Sequence, residues 1–135
     1  MGKVRGVTLI EVLFAIALVA VAVLALVGLN VTGLKQMAQG RNQVAAQDMA
    51  ERVLDATKEV GFALIPDTGT FDGRLPTPPP AVGGFPPRPY PGQTINGEEC
   101  RVWVSVSKVD THLKNVEVRV YFGQRWVSLG RSYSN

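Results

Sequence analysis

A chain of 135 residues, 46% of them apolar, has room for one small domain and a membrane segment. Net charge is only +3 and no cluster of Lys and Arg appears, so nucleic acid is not an expected partner. One Cys and one His exclude an intramolecular disulfide and make no metal constellation, so neither a metal nor another cofactor is expected.

Residues 1–6 are a short basic stretch, with Lys3 and Arg5, that ends in Gly6. Removing them would leave 12 of the 14 basic side chains against 11 acidic ones, a net charge of +1. Val7, Thr8, Leu9 and Ile10 follow, and then Glu11, the only charged side chain between Arg5 and Lys35. From Val12 to Leu34 there are 23 residues without a charge, long enough to span a bilayer. A lone carboxylate beside such a run is costly in hydrocarbon and asks for a functional explanation. A secretory signal peptide has a shorter apolar core; Ala20-Val21-Ala22 is a weak cleavage site, and the apolar run continues well past it. An uncleaved signal anchor fits the length and the preceding charges. Lys3, Arg5 and the initiating amine place the N-terminus in the cytoplasm and the residues beyond about 35 on the outer side.

Residues from about 8 to 62 read as one long helix, with no Pro in residues 1–65 to kink it. Its first part, residues 7–34, is apolar all round. Its second, residues 35–62, is amphipathic. Ala45, Met49, Val53, Ala56 and Val60 recur at helical spacing and predict one buried face. Asp48 with Arg52 and Asp55 with Lys58 are spaced for intrahelical ion pairs. Gly61 and Pro66 mark the helix end.

Residues 63–99 read as a Pro- and Gly-rich connector holding all nine prolines, from Pro66 to Pro91. Proline fixes φ and lacks a donor, so a stiff surface loop over the sheet edge is expected. Residues 100–135 read as a small antiparallel sheet. Val102, Val104 and Val106 alternate with polar residues; Val116, Val118, Val120 and Phe122 share a face; a third strand runs from Arg125 to Arg131. Asp110-Thr111-His112 forms one hairpin loop, and Gly123-Gln124 suits a type II′ turn. The fold class is α+β, with the amphipathic helix half packed on the sheet. Cys100 reads as a small buried hydrophobe in a strand. Trp103 and Trp126 fall opposite the Val rows. Exposure there would make a contact surface, and burial under the connector is the alternative.

The order Lys3, Arg5, Gly6, Val7, Thr8, Glu11 and then an apolar run resembles the class III signal of type IV pilins and type II secretion pseudopilins. A continuous N-terminal helix, a variable loop and a C-terminal antiparallel sheet is similar to the pilin fold. The specific likeness covers Lys3 to about Leu34. Weaker likeness continues through Ala46-Gln47-Asp48-Met49-Ala50-Glu51-Arg52-Val53-Leu54 and through Leu113-Lys114-Asn115-Val116-Glu117-Val118, which resemble minor subunits. Val7 stands where Phe is the commoner mature start. The membrane helix has no Pro, and a C-terminal disulfide loop and an acidic calcium-binding cluster are lacking. These departures favour a minor subunit.

The resemblance implies cleavage after Gly6 by a prepilin peptidase that also methylates the amine of Val7. It implies assembly with other pilin or pseudopilin subunits through the N-terminal helix, by way of an inner-membrane assembly platform, with lipid as the partner beforehand. Glu11 would pair with the α-amine of a neighbouring subunit and set axial register, while before assembly it snorkels to the membrane surface. Thr8 would cap the first turn.

No residues assemble into a catalytic pattern, so an enzyme is not expected. His112 lies in a turn, Glu98 and Glu99 face opposite sides of a strand, and no phosphate-binding Gly loop is present. A DNA-uptake pilus subunit would need a basic strip, for which Arg119, Arg125 and Arg131 are the candidates. An uncleaved membrane-anchored periplasmic binding module using the two Trp residues is the other alternative.

Overall fold

The computed structural model describes residues 8–135. One helix, α1 (Leu9–Val60), is followed by a 3-10 turn (Phe62–Leu64) and five strands: β1 (Gly69–Asp72), β2 (Gly92–Ile95), β3 (Glu98–Asp110), β4 (Leu113–Phe122) and β5 (Arg125–Ser134). The chain divides into two compact units, Met1–Gln39 and Gly40–Asn135.

The described part of the first unit is helix after Thr8. Its Leu, Val, Ile and Phe side chains are exposed from Leu9 to Leu34. Two polar residues within this run bond back one turn. Asn30 Nδ2 donates to the Leu26 carbonyl at 3.0 Å, and Thr32 Oγ1 to the Gly28 carbonyl at 3.0 Å. Each thereby gives one side-chain donor a partner inside the helix, which lowers its cost in an apolar surrounding.

The second unit packs the C-terminal half of α1 on an antiparallel sheet of order β1-β3-β4-β5, with β2 also paired to β3. Alternation puts Cys100, Val102, Val104 and Val106 of β3 and Val116, Val118, Val120 and Phe122 of β4 on the inner face, all buried. The helix answers with Ala46, Met49, Ala50, Val53, Leu54 and Thr57. Of the stripe expected from sequence, Met49 and Val53 are buried, whereas Ala45, Ala56 and Val60 lie at its half-buried rim. Thr57 enters the core because its hydroxyl donates to the Val53 carbonyl at 2.7 Å. Cys100 is buried as expected, and burial pushes its thiol pKa up, helped by the Glu98 charge.

The segment expected to be a surface loop contributes strands and core. β1 and β2 lie end to end on the edge of β3 opposite β4: Phe71 faces Val104, and Gln93 faces Cys100. Phe85 and Tyr90 are buried and stack edge-on against Phe71, with ring centroids 5.4 and 6.3 Å apart. The prolines thus present aromatic plugs to the core. The turn between β2 and β3 is Asn96-Gly97, both residues with positive φ, the pattern of a type I′ hairpin. Gly123 alone has positive φ in the β4–β5 turn, consistent with type II′.

Where β1 and β2 meet, the backbone of Val102 is held from both sides. Its carbonyl accepts from Gly73 N at 2.9 Å, and its N–H donates to the Pro91 carbonyl at 2.9 Å. A Cβ on Gly73 would come within 2.1 Å of the Pro91 oxygen and 2.5 Å of the Val102 oxygen. Gly73→Ala is therefore expected to part this junction and destabilise the domain by about 2 kcal/mol or more. The urea midpoint measures it, and an unchanged midpoint would mean that the junction yields freely.

Candidate functional site

The N-terminal segment is built by the helix itself. Thr8 stands just before α1, and its carbonyl accepts from Glu11 N at 3.0 Å and Val12 N at 3.2 Å. It therefore occupies the N-cap position. Glu11 falls in the first helical turn, where a negative charge complements the unpaired N–H groups of the helix start. Its side chain is exposed, as are its neighbours Leu9, Ile10 and Phe14. Gly6 and Val7, expected to flank the cleaved bond, lie outside the described residues. From Leu9 to Leu34 the helix rises about 39 Å at ~1.5 Å per residue, enough for a hydrocarbon core of about 30 Å. α1 is long and apolar enough to cross a membrane, and its most apolar window is unburied.

This arrangement suits an apolar medium. His112 is exposed in the β3–β4 turn. Glu98 and Glu99 point to opposite faces: Glu98 accepts from Asn42 Nδ2 at 2.6 Å, and Glu99 pairs with Arg101 at 2.5 Å. Among the described residues no group of three or more His, Cys, Asp or Glu is placed to hold a metal.

The outer face of the sheet is the second notable surface. Trp103 faces Arg119 across β3 and β4, and Trp126 faces Tyr121 across β4 and β5, so both indoles share this face. Trp126 is 53% exposed and Trp103 half-buried. The Arg119 guanidinium lies over both rings, 4.6 Å from the Trp103 centroid and 5.2 Å from that of Trp126. A hydrogen bond to Glu117 and a further one to Tyr121 raise its pKa.

The proposed basic strip does not form. Arg119 is on the outer face, paired with Glu117 at 2.8 Å. Arg125 and Arg131 have the opposite parity on β5, and Arg131 pairs with Asp55 at 2.6 Å. That pair also replaces the expected Asp55–Lys58 contact, while Asp48–Arg52 forms at 2.7 Å as expected.

Sequence reasoning passed over Lys114. It has the parity of Val116, Val118 and Val120 and is 5% exposed on the inner face. Its Nζ donates to the Phe62 carbonyl at 3.2 Å and to the Ile65 carbonyl, pairs with Asp67 at 3.1 Å and sits 4.5 Å over the Phe62 ring. A cation at this point satisfies carbonyls left open where the helical segment ends. The signal was a lysine in an otherwise apolar strand row.

Against known proteins, residues 1–27 match the family model of the prokaryotic N-terminal methylation motif. No curated protein and no solved structure matches the chain. The chain carries the class III signal typical of type IV pilins, on a long helix packed against a five-stranded antiparallel sheet, consistent with the pilin fold. The signal motif supports a pilin-like, prepilin-processed protein, and with the apolar helix it suggests membrane anchoring.

Proposed function

We propose that this chain is a minor pilin or minor type II secretion pseudopilin. It is inserted in the inner membrane with its N-terminus in the cytoplasm and Gly40–Asn135 in the periplasm. A prepilin peptidase cuts after Gly6 and methylates Val7, and the subunit then enters a filament through residues 7–34. The single observation that carries this reading is the match of residues 1–27 to the N-terminal methylation motif. The exposed apolar surface of Leu9–Leu34 supports it, since such a surface needs lipid before assembly and neighbouring helices afterwards.

Glu11 has two successive environments in this account. In the membrane it lies one turn from the helix start, within reach of the headgroup region. In the filament it leaves water and lipid together and pairs with the Val7 amine of a neighbouring subunit. That pairing fixes how far one helix slides along the next. A buried charge stripped of its partner costs about 3–5 kcal/mol. Glu11→Ala is therefore expected to be cleaved normally but to enter filaments at least about tenfold less, by the ratio of filament-bound to membrane-bound protein. Normal incorporation of Glu11→Ala would remove the register role.

A further inference from the structure

We propose that the outer face of the sheet is a binding site for a neutral oligosaccharide. This does not rest on the filament reading. Two features meet there. The first is the aromatic stack: Arg119 held between Trp103 and Trp126, and Arg74 over the Tyr121 ring at 4.2 Å. The second is a groove of about 450 Å3 beginning where the stack ends, lined among others by Ser105, Asn115, Glu117, Ser128, Arg131 and Ser132. Gly130, opposite Glu117 across the strands, leaves its floor without a side chain. Glu117 belongs to both features, because its carboxylate holds Arg119 at 2.8 Å while its side chain lines the groove.

The charges select the ligand class. Each arginine beside the stack already has a carboxylate: Arg74 with Asp72 at 2.7 Å, Arg101 with Glu99 at 2.5 Å and Arg119 with Glu117 at 2.8 Å. Arg131 at the groove pairs likewise with Asp55 at 2.6 Å, so four acids offset four bases and the site offers a polyanion no net attraction, which single-stranded nucleic acid would need. A neutral sugar fits instead. Its C–H face stacks on an exposed indole, and its hydroxyls find a carboxylate that accepts and amide and hydroxyl groups that donate and accept. Arg119 holds the indoles in place, so little ordering remains to be done on binding. The groove volume lies within the ~300–1,000 Å3 usual for small-ligand sites.

Both tryptophans of the chain lie on this face, so selectively excited tryptophan fluorescence reads it without the tyrosines of the core. The full chain, in zwitterionic micelles free of sugar headgroups, would be titrated with a β-1,4-linked N-acetylglucosamine tetramer and with maltotetraose. A saturable change with at least one sugar, at a Kd of about 1 mM or below, is expected. By calorimetry, Trp126→Ala should weaken binding about tenfold, the scale of one lost stacking contact. Gly130→Val should weaken it by a similar factor by filling the groove floor. A Cβ there meets only the Val116 carbonyl oxygen, at 3.8 Å, an ordinary contact, and the unfolding midpoint of the variant checks that the fold is kept. No saturable change with either sugar overturns the proposal, as does unchanged affinity in both variants. Tighter binding of an oligodeoxythymidine that displaces the sugar would assign the face to single-stranded nucleic acid instead and also overturns it.

Discussion

Gly6→Leu is expected to leave the protein in its precursor form, with mature-length product falling to background. In the proposed processing the bond after Gly6 enters the peptidase site with no Cβ beside it, and a leucine side chain there obstructs that approach. The consequence extends beyond processing. An uncleaved chain keeps Lys3 and Arg5 ahead of the apolar run in sequence and leaves the Val7 nitrogen in a peptide bond. Two cations would then have to leave the cytoplasmic surface to enter an apolar helical bundle, where neither has a partner. Filament incorporation should therefore vanish together with cleavage. Gly6→Ala, with one added methyl, should be cut slowly and assemble in proportion. Normal processing of Gly6→Leu would refute the placement of the cleavage site.

The largest effect expected within the folded domain belongs to Lys114. Its ammonium serves the carbonyls of Phe62 and Ile65, the ring of Phe62 and the carboxylate of Asp67, joining the end of the helical segment to the sheet. Lys114→Met keeps most of the apolar stem and removes the donors. Two carbonyls in a nearly water-free site then lose their partner, at about 1–3 kcal/mol each. A loss of about 3 kcal/mol in unfolding free energy follows, measured by urea denaturation in micelles. A loss below about 0.5 kcal/mol, the range of an ordinary surface substitution, would mean that water replaces the ammonium.

The same cluster sets an acid limit. Hydrogen bonds from Lys108 and then Lys114 hold the Asp67 carboxyl below its ordinary value of 3.8. A depressed folded pKa gives stability that is complete above the ordinary carboxylate value and fades as pH falls through the folded one. Asp67→Asn should therefore flatten the decline of stability below about pH 4. An acid limb with the same slope in the variant would remove Asp67 from the account.

What the sequence disclosed follows from which patterns are unambiguous. One carboxylate in an otherwise uncharged run leaves Glu11 unmistakable, and strict alternation sorts Val102, Val104, Val106, Val116, Val118 and Val120 from the tryptophans opposite. The helical stripe was displaced by one position because Ala45 and Ala46 are equally apolar, and only packing distinguishes them. Thr57 was invisible because its hydroxyl is satisfied by its own helix. β1 and β2 were hidden by the density of proline around them and by their four-residue length, too short for alternation to register. Even so, Asn96-Gly97 was a legible hairpin signal, and Lys114 was legible as a charged residue in an apolar row. The cation–aromatic stack was beyond reach, because pairing Trp103 with Arg119 requires the register of β3 on β4.

The most direct test is the N-terminal sequence and intact mass of the protein from cells with and without a prepilin peptidase. The account predicts a chain beginning at Val7 and carrying one added methyl group when the peptidase is present, and a chain beginning at Met1 when it is absent. A chain beginning at Met1 in both would contradict it and leave a signal-anchored periplasmic domain in place of a filament subunit.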